Sequence, residues 1–138
     1  MIDCIFCKIT NGEIPNYTVY EDEKVLAFLD IHPHAKGHTV VIPKVHAENY
    51  FDLNEDLLGH LSIGIKRTME KIDKVLSPDG YNVGWNQGLV AGQVVPHLHI
   101  HIMPRYEGDG GGSMHSIINS AGEKTVEELG KLFAASSL

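Results

Sequence analysis

Long hydrophobic runs are missing from this 138-residue chain. None approaches the roughly 20 apolar residues that a membrane-spanning helix needs, so no membrane partner is expected. The opening Met1-Ile2-Asp3-Cys4 has neither the basic region nor the apolar core of a signal peptide, and the expected location is cytoplasmic. Positive charge is in short supply: 11 Lys and Arg stand against 18 Asp and Glu, for a formal net charge of -7. A partner bound through a phosphate backbone needs a basic footprint, so nucleic acid is excluded as the expected partner. A small phosphate ligand is not excluded, because backbone N–H groups and a few histidines can hold it locally. Cysteine is scarce too, with only Cys4 and Cys7. In a reducing cytosol such a Cys-x-x-Cys pair reads as metal-binding or redox-active rather than as a structural disulfide. The surrounding pattern is not βαβ, which disfavours a thioredoxin-like redox role.

What the chain does have is histidine, nine in all, in a composition that is 43% hydrophobic and 21% charged. That balance suits a globular fold. No repeat or linker divides it, so residues 1–138 read as one domain. Its core spans 3–109, and 107–138 forms a flexible Gly-rich segment and a C-terminal helix. A short helix is expected over Asp3 to Asn11, ending at Gly12. Strands are expected over Tyr17–Tyr20, Val25–Leu29, His38–Pro43, Tyr81–Asn86 and Val94–Pro104. Between them lies a long helix capped by Asn54, with Leu57, Leu61, Ile65, Met69, Ile72 and Leu76 as one apolar stripe, ending at Pro78 and Gly80. Thr125-Val126-Glu127-Glu128 matches a capping box and predicts the C-terminal helix. Connections too short for repeated βαβ crossovers imply an antiparallel sheet of about five strands with one long packed helix, an α+β domain.

The chemistry concentrates in Pro96-His97-Leu98-His99-Ile100-His101-Ile102-Met103-Pro104. In a strand, side chains alternate faces, so His97, His99 and His101 should share one face and the apolar residues the other. Three aligned titratable groups point to a functional face. They suit a three-histidine zinc site or nucleophilic attack by a neutral imidazole. Spacing does not choose between these. The preceding Asn86-to-Val95 loop, with Gly88 and Gly92, suits close approach of backbone amides to an anion, which a phosphate needs and a metal does not.

Gly92-Gln93-Val94-Val95-Pro96-His97-Leu98-His99-Ile100-His101-Ile102-Met103-Pro104-Arg105 closely resembles the signature of the histidine triad (HIT) family. Three further segments agree in order and spacing: Asp3 to Ile9 with Gly12 to Pro15, Ala27 to Ile31, and Gly37 to Lys44. The likeness runs from about residue 3 to residue 109.

The resemblance implies a covalent mechanism at the α-phosphorus of a nucleotide. His99 matches the attacking histidine, His101 the one that contacts phosphate and aids the leaving group, and His38 a supporting histidine. Gly92 with the Gln93 and Val94 backbone matches a phosphate cradle, and Asn86 a phosphate or leaving-group contact. Asp30 matches a ribose-binding carboxylate; read alone it would be a loop-capping Asp. Phe6, Ile9, Phe28, Leu29 and Ile31 match the apolar walls of a base pocket, which suits a purine. Val94 departs from the serine usual in the phosphoramidate-cleaving branch, so both P–N and P–O substrates stay open. The resemblance further implies a structural Zn2+ on Cys4, Cys7, His46 and His97, no metal in catalysis, and a twofold homodimer. His97 is thereby claimed both by the zinc and by the catalytic face. The rival readings are a nucleotide-binding adaptor with incidental catalysis and a hydrolase with zinc on the triad itself.

Overall fold

The computed structural model describes residues 3–137. Its regular structure comprises three α-helices and five strands, α1 (Ile5–Thr10), β1 (Thr18–Glu21), β2 (Val25–Leu29), β3 (Thr39–Pro43), α2 (Glu55–Leu76), β4 (Gly80–Gly84), β5 (Ile100–Arg105) and α3 (Val126–Ala135), with single 3-10 turns at Tyr50–Asp52, Leu89–Ala91 and Met114–Ser116. The strands form one antiparallel sheet in the order β1-β2-β3-β5-β4. The expected α+β architecture is present.

Local chemistry explains each boundary. In the β1–β2 turn, Asp22 Oδ1 accepts the N–H groups of Lys24 and Val25, both at 2.8 Å. Asn54 caps α2 by accepting the Leu57 N–H at 2.9 Å. Its other end is closed one residue before Pro78, by Ser77 in the left-handed region (φ 48°, ψ 54°). Thr125 and Glu128 form the expected capping box of α3.

β2 and β3 are apolar at every position but Thr39, because both sheet faces are covered. Val25, Ala27, Val41, Ile100 and Ile102 join Leu61 and Ile72 of α2 in one cluster. Leu26, Phe28, Val40 and Ile42 form a second cluster beneath Phe6 and Ile9 of α1. The stripe of α2 is centred differently from expectation: its buried residues are Leu61, Gly64, Thr68 and Ile72. Gly64 is where helix and sheet meet most closely, since a Cβ there would lie 2.8 Å from Val25 Cγ1. Gly64→Ala should therefore destabilise the fold. The helix-propensity gain of up to ~1 kcal/mol is outweighed by overpacking against a rigid buried valine, which costs ~1–3 kcal/mol. A lower urea midpoint at unchanged m-value is the expected result; a raised midpoint would overturn it.

The histidine strand is shorter than expected. β5 begins only at Ile100, and residues 94–99 run outside the sheet. The chain bends at Val95-Pro96-His97, where the His97 N–H reaches the Val95 carbonyl (2.9 Å) and the Leu98 N–H reaches Ala47 (2.7 Å). Period-two alternation therefore holds for His99 and His101 but not for His97, which is fully buried. At the other end of the chain, Arg105 fastens the Gly-rich segment through Asp109 (2.8 Å) and the Gly112 carbonyl. No residue of α3 is buried, and Leu132 and Phe133 are exposed.

Candidate active site and metal-ligand cluster

A cleft of about 1400 Å³ opens on the α1 face of the sheet. Phe6, Ile9, Phe28, Leu29 and Ile31 all line it, with Asp30 beside them. Ile31 is largely exposed and forms a rim, whereas Phe28 is buried in the wall. Asp30 performs the loop-capping role as well, since its Oδ1 accepts the His32 N–H at 2.8 Å. Its Oδ2 faces His38 Nε2 at 3.6 Å, too long for a hydrogen bond but close enough to attract it.

His99 and His101 border the same cleft, with ring centroids 5.1 Å apart. Their proton positions follow from their partners. His99 Nδ1 lies 2.7 Å from the His97 carbonyl oxygen. A carbonyl only accepts, so Nδ1 carries the proton and Nε2 of the neutral ring keeps its lone pair. The His34 N–H donates to His38 Nδ1 at 3.1 Å, which puts the proton of neutral His38 on Nε2. That proton goes to His101 Nδ1 at 3.0 Å, leaving the proton of His101 on its own Nε2. Burial keeps both rings neutral, pushing His38 down and His101 down to about 4, while the Asp30 carboxylate opposes the shift in each. β-sheet register supports this pairing: Val40 stands opposite His101, and His38 precedes β3 by one residue.

Asp30, His38 and His101 are close enough to share a metal. The His34 amide opposes it: coordination through His38 Nε2 would require a proton on Nδ1, pointing at another N–H. The three triad histidines do not converge on one point among the described residues, because His97 turns away. A zinc centre on the triad itself is not what this geometry offers.

The loop before the triad is braced from within. Gly92 adopts φ 102°, a conformation that favours glycine. The Gly92 and Gln93 amides donate to the Leu89 and Gly88 carbonyls at 3.0 and 3.1 Å. The Gln93 side chain accepts the Gly88 N–H (2.9 Å) and donates to the Glu48 carbonyl (2.8 Å). Gln93 thus shapes the loop, while Gly92, Val94 and Asn86 line the cleft. Sequence reasoning missed Trp85, Arg105, Met114 and Ile117, which also line it. Trp85 leaves β4 to stack on Tyr50, with centroids 4.5 Å apart. The one available signal was Arg105 four residues before Asp109; the rest depends on tertiary folding.

Behind Phe6, Cys4, Cys7, His46 and His97 come together, with one ligand atom of each within 4.8 Å of the others. His97 Nδ1 is 3.4 Å from Cys4 Sγ and 3.6 Å from Cys7 Sγ, and His46 Nδ1 is 3.3 Å from Cys7 Sγ. A tetrahedral zinc with ordinary Zn–S and Zn–N bonds would set sulfur and nitrogen about 3.5 Å apart. His97 Nε2–H donates to the Pro43 carbonyl at 2.9 Å, so the Nδ1 lone pair faces the thiols, the usual outer support of a metal-ligating histidine. Burial and the adjacent Cys4 push the Cys7 thiol up to about 11, unlike the low-pKa thiolate that redox chemistry uses. The donor set fits a structural zinc.

The HIT domain sequence profile matches residues 11–108. An uncharacterized HIT-like protein of Methanocaldococcus jannaschii is 59% identical over 107 residues, covering 78% of this chain and 82% of that one. An adenosine 5'-monophosphoramidase of Schizosaccharomyces pombe is 42% identical over 104 residues, 75% of each chain. The crystal structure of a HIT family member from Bacillus subtilis superposes with a TM-score of 0.84 at 42% identity, covering 97% of this chain and 94% of that one.

Proposed function

This chain belongs to the histidine triad (HIT) family, and from that premise we propose that it is a nucleotide hydrolase or nucleotidyl transferase. It cleaves a P–N or P–O bond at the α-phosphorus of a purine nucleotide derivative, through a covalent adduct on His99. The observation that carries this reading is the 2.7 Å bond from His99 Nδ1 to the His97 carbonyl, which leaves the Nε2 lone pair as nucleophile. Attack of Nε2 on phosphorus forms the N–P bond as the leaving group departs with its electron pair. The His101 Nε2–H donates a hydrogen bond to an α-phosphate oxygen and steadies the charge that builds there, while the leaving group takes its proton from solvent. Water then attacks the adduct, releases a proton to solvent and frees His99, so one difficult displacement becomes two easier ones. No step requires a metal.

The nucleoside half lies against Phe6, Ile9, Phe28, Leu29 and Ile31, whose apolar surface suits a purine ring. The free lone pairs of the Asp30 carboxylate accept the ribose hydroxyls. Gly92, Asn86 and the backbone at Gln93–Val94 border the phosphates. The name of the fission-yeast relative favours a P–N substrate; Val94 has no hydroxyl to assist a leaving nitrogen and leaves P–O substrates in play. Cys4, Cys7, His46 and His97 hold a structural zinc, which when bound cross-links the segments that carry them. A twofold homodimer is consistent with β4 as an open sheet edge and with the uncovered apolar residues of α3. Among the described residues no helix is long and apolar enough to cross a membrane, and we place the protein in the cytoplasm.

The test is rapid acid quench of single turnovers on adenosine phosphoramidate and on a diadenosine polyphosphate, followed by peptide mass analysis. An adenylyl group on the His99 peptide that disappears on chase is the expected result. Steady turnover with no adduct at any quench time would reject the mechanism.

A further inference from the structure

Four side chains from three separate stretches of chain meet at the cysteine–histidine cluster, and one of them is wired to the nucleophile. Cys4 and Cys7 sit at the start of α1, His46 follows β3, and His97 precedes β5. His97 uses different atoms for different partners. Its ring nitrogens face the two thiols and the Pro43 carbonyl. Its main-chain carbonyl accepts the His99 Nδ1–H.

We infer that this cluster is a positioning device for catalysis: by holding a zinc ion, Cys4, Cys7, His46 and His97 lock the His97 backbone and so hold His99 in the tautomer that attacks. The inference rests on His99 being the nucleophile.

The reasons are local. The His97 carbonyl lies outside the sheet, so no strand ladder holds it; its peptide unit is tied instead through the Leu98 N–H to the carbonyl of Ala47 (2.7 Å), the residue after the ligand His46. Without a cation, the His97 ring is anchored by one full-strength hydrogen bond, to Pro43, and by longer contacts to thiols. The second contact that orients His99 comes from the same cluster. Phe6 packs edge-on against His99, with centroids 5.0 Å apart, and against His97 at 5.8 Å. Phe6 is carried by α1, a six-residue helix with no buried residue of its own. A helix that short is not stable unaided, and its buried attachment point is Cys4, the helix cap and a cluster member. If the carbonyl moves, the neutral imidazole can carry its proton on Nε2 instead, and that tautomer has no lone pair toward the cleft. Charge and proton count are unchanged; only the reacting atom is lost.

The test uses the full-length protein with 15N-labelled histidine, loaded with zinc, stripped by a chelator and reloaded, with circular dichroism following the fold. In the loaded protein the His99 shifts should show a protonated Nδ1 and an unprotonated Nε2. Stripping should move both toward averaged values and lower kcat about 10- to 100-fold, the range typical for loss of outer support around a functional histidine. Zinc should restore both. His46→Ala removes one ligand without altering His97 or α1. Its rate and its tautomer signal should rise together as zinc is added, which covers the case in which stripping unfolds the wild type. A folded protein that loses zinc yet keeps its His99 shifts and rate overturns the coupling, as does one that binds no zinc. Absence of the His99 adduct from the zinc-loaded protein strikes the proposed mechanism instead, so the two failures are separable.

Discussion

His99→Ala should lower turnover by about 10³-fold or more while leaving nucleotide affinity within a few-fold of wild type. Removing a covalent nucleophile takes away the two-step route altogether, and no neighbour can replace it. His101 also borders the cleft, but its Nδ1 accepts the hydrogen bond of the His38 Nε2–H at 3.0 Å and its Nε2 carries a proton, so it offers no lone pair to phosphorus. Binding should survive because the proposed nucleoside walls, Phe6, Phe28 and Leu29 among them, come from α1 and β2 rather than from the triad. Steady-state kinetics on the phosphoramidate and dinucleotide substrates, together with calorimetry of nucleoside monophosphate binding, measure the two quantities separately. Near-normal turnover in the variant would eliminate His99 as nucleophile. A wild-type rate close to the uncatalysed one would favour the adaptor reading.

Acid should destabilise the fold between pH 6.5 and about 4, a loss that begins well above the range in which carboxylates titrate. Burial lowers His101 from 6.5 to about 4 and pushes His38 in the same direction. In that window the unfolded chain binds protons that the folded chain refuses, so stability is intact above the unfolded value and declines as pH falls. For His101 alone, a drop from pH 6.5 to 5 removes on the order of 2 kcal/mol. Asp22 and Asp109 are held below their ordinary 3.8 by hydrogen bonds, so their contribution appears only at lower pH. Urea unfolding of zinc-free protein at pH 7 and pH 5 gives the difference directly. A His101→Gln variant should show a shallower pH slope than wild type. Equal slopes in the two proteins would refute this assignment.

Much of the scaffold could be read from local patterns because local forces decide it. Asn54 and Thr125 announce the helix starts they cap. β-branched runs announce β2 and β3, and the sheet assembles in the antiparallel form that short connections require. Pro78 marks where α2 ends, and Ser77 just before it makes the closing left-handed turn, a role its residue type does not announce. The centre of the α2 stripe was displaced, because Gly64 looks neutral in a helical wheel and acquires its meaning only from Val25 across the interface.

Residue types and spacing alone determined the α+β class, the cluster of imidazoles and the small-residue loop before it, since periodicity and turn chemistry act over a few neighbours. Tertiary structure decided which atom of each histidine does what. His97 leaves the strand alternation at the Val95–His97 bend and joins Cys4, Cys7 and His46, which lie more than 50 residues away in the chain. The proton on His99 is placed by a carbonyl, and that on His38 by the His34 amide. Main-chain donors and acceptors are the same in every residue except proline, so no sequence pattern reveals where they point until the chain has folded.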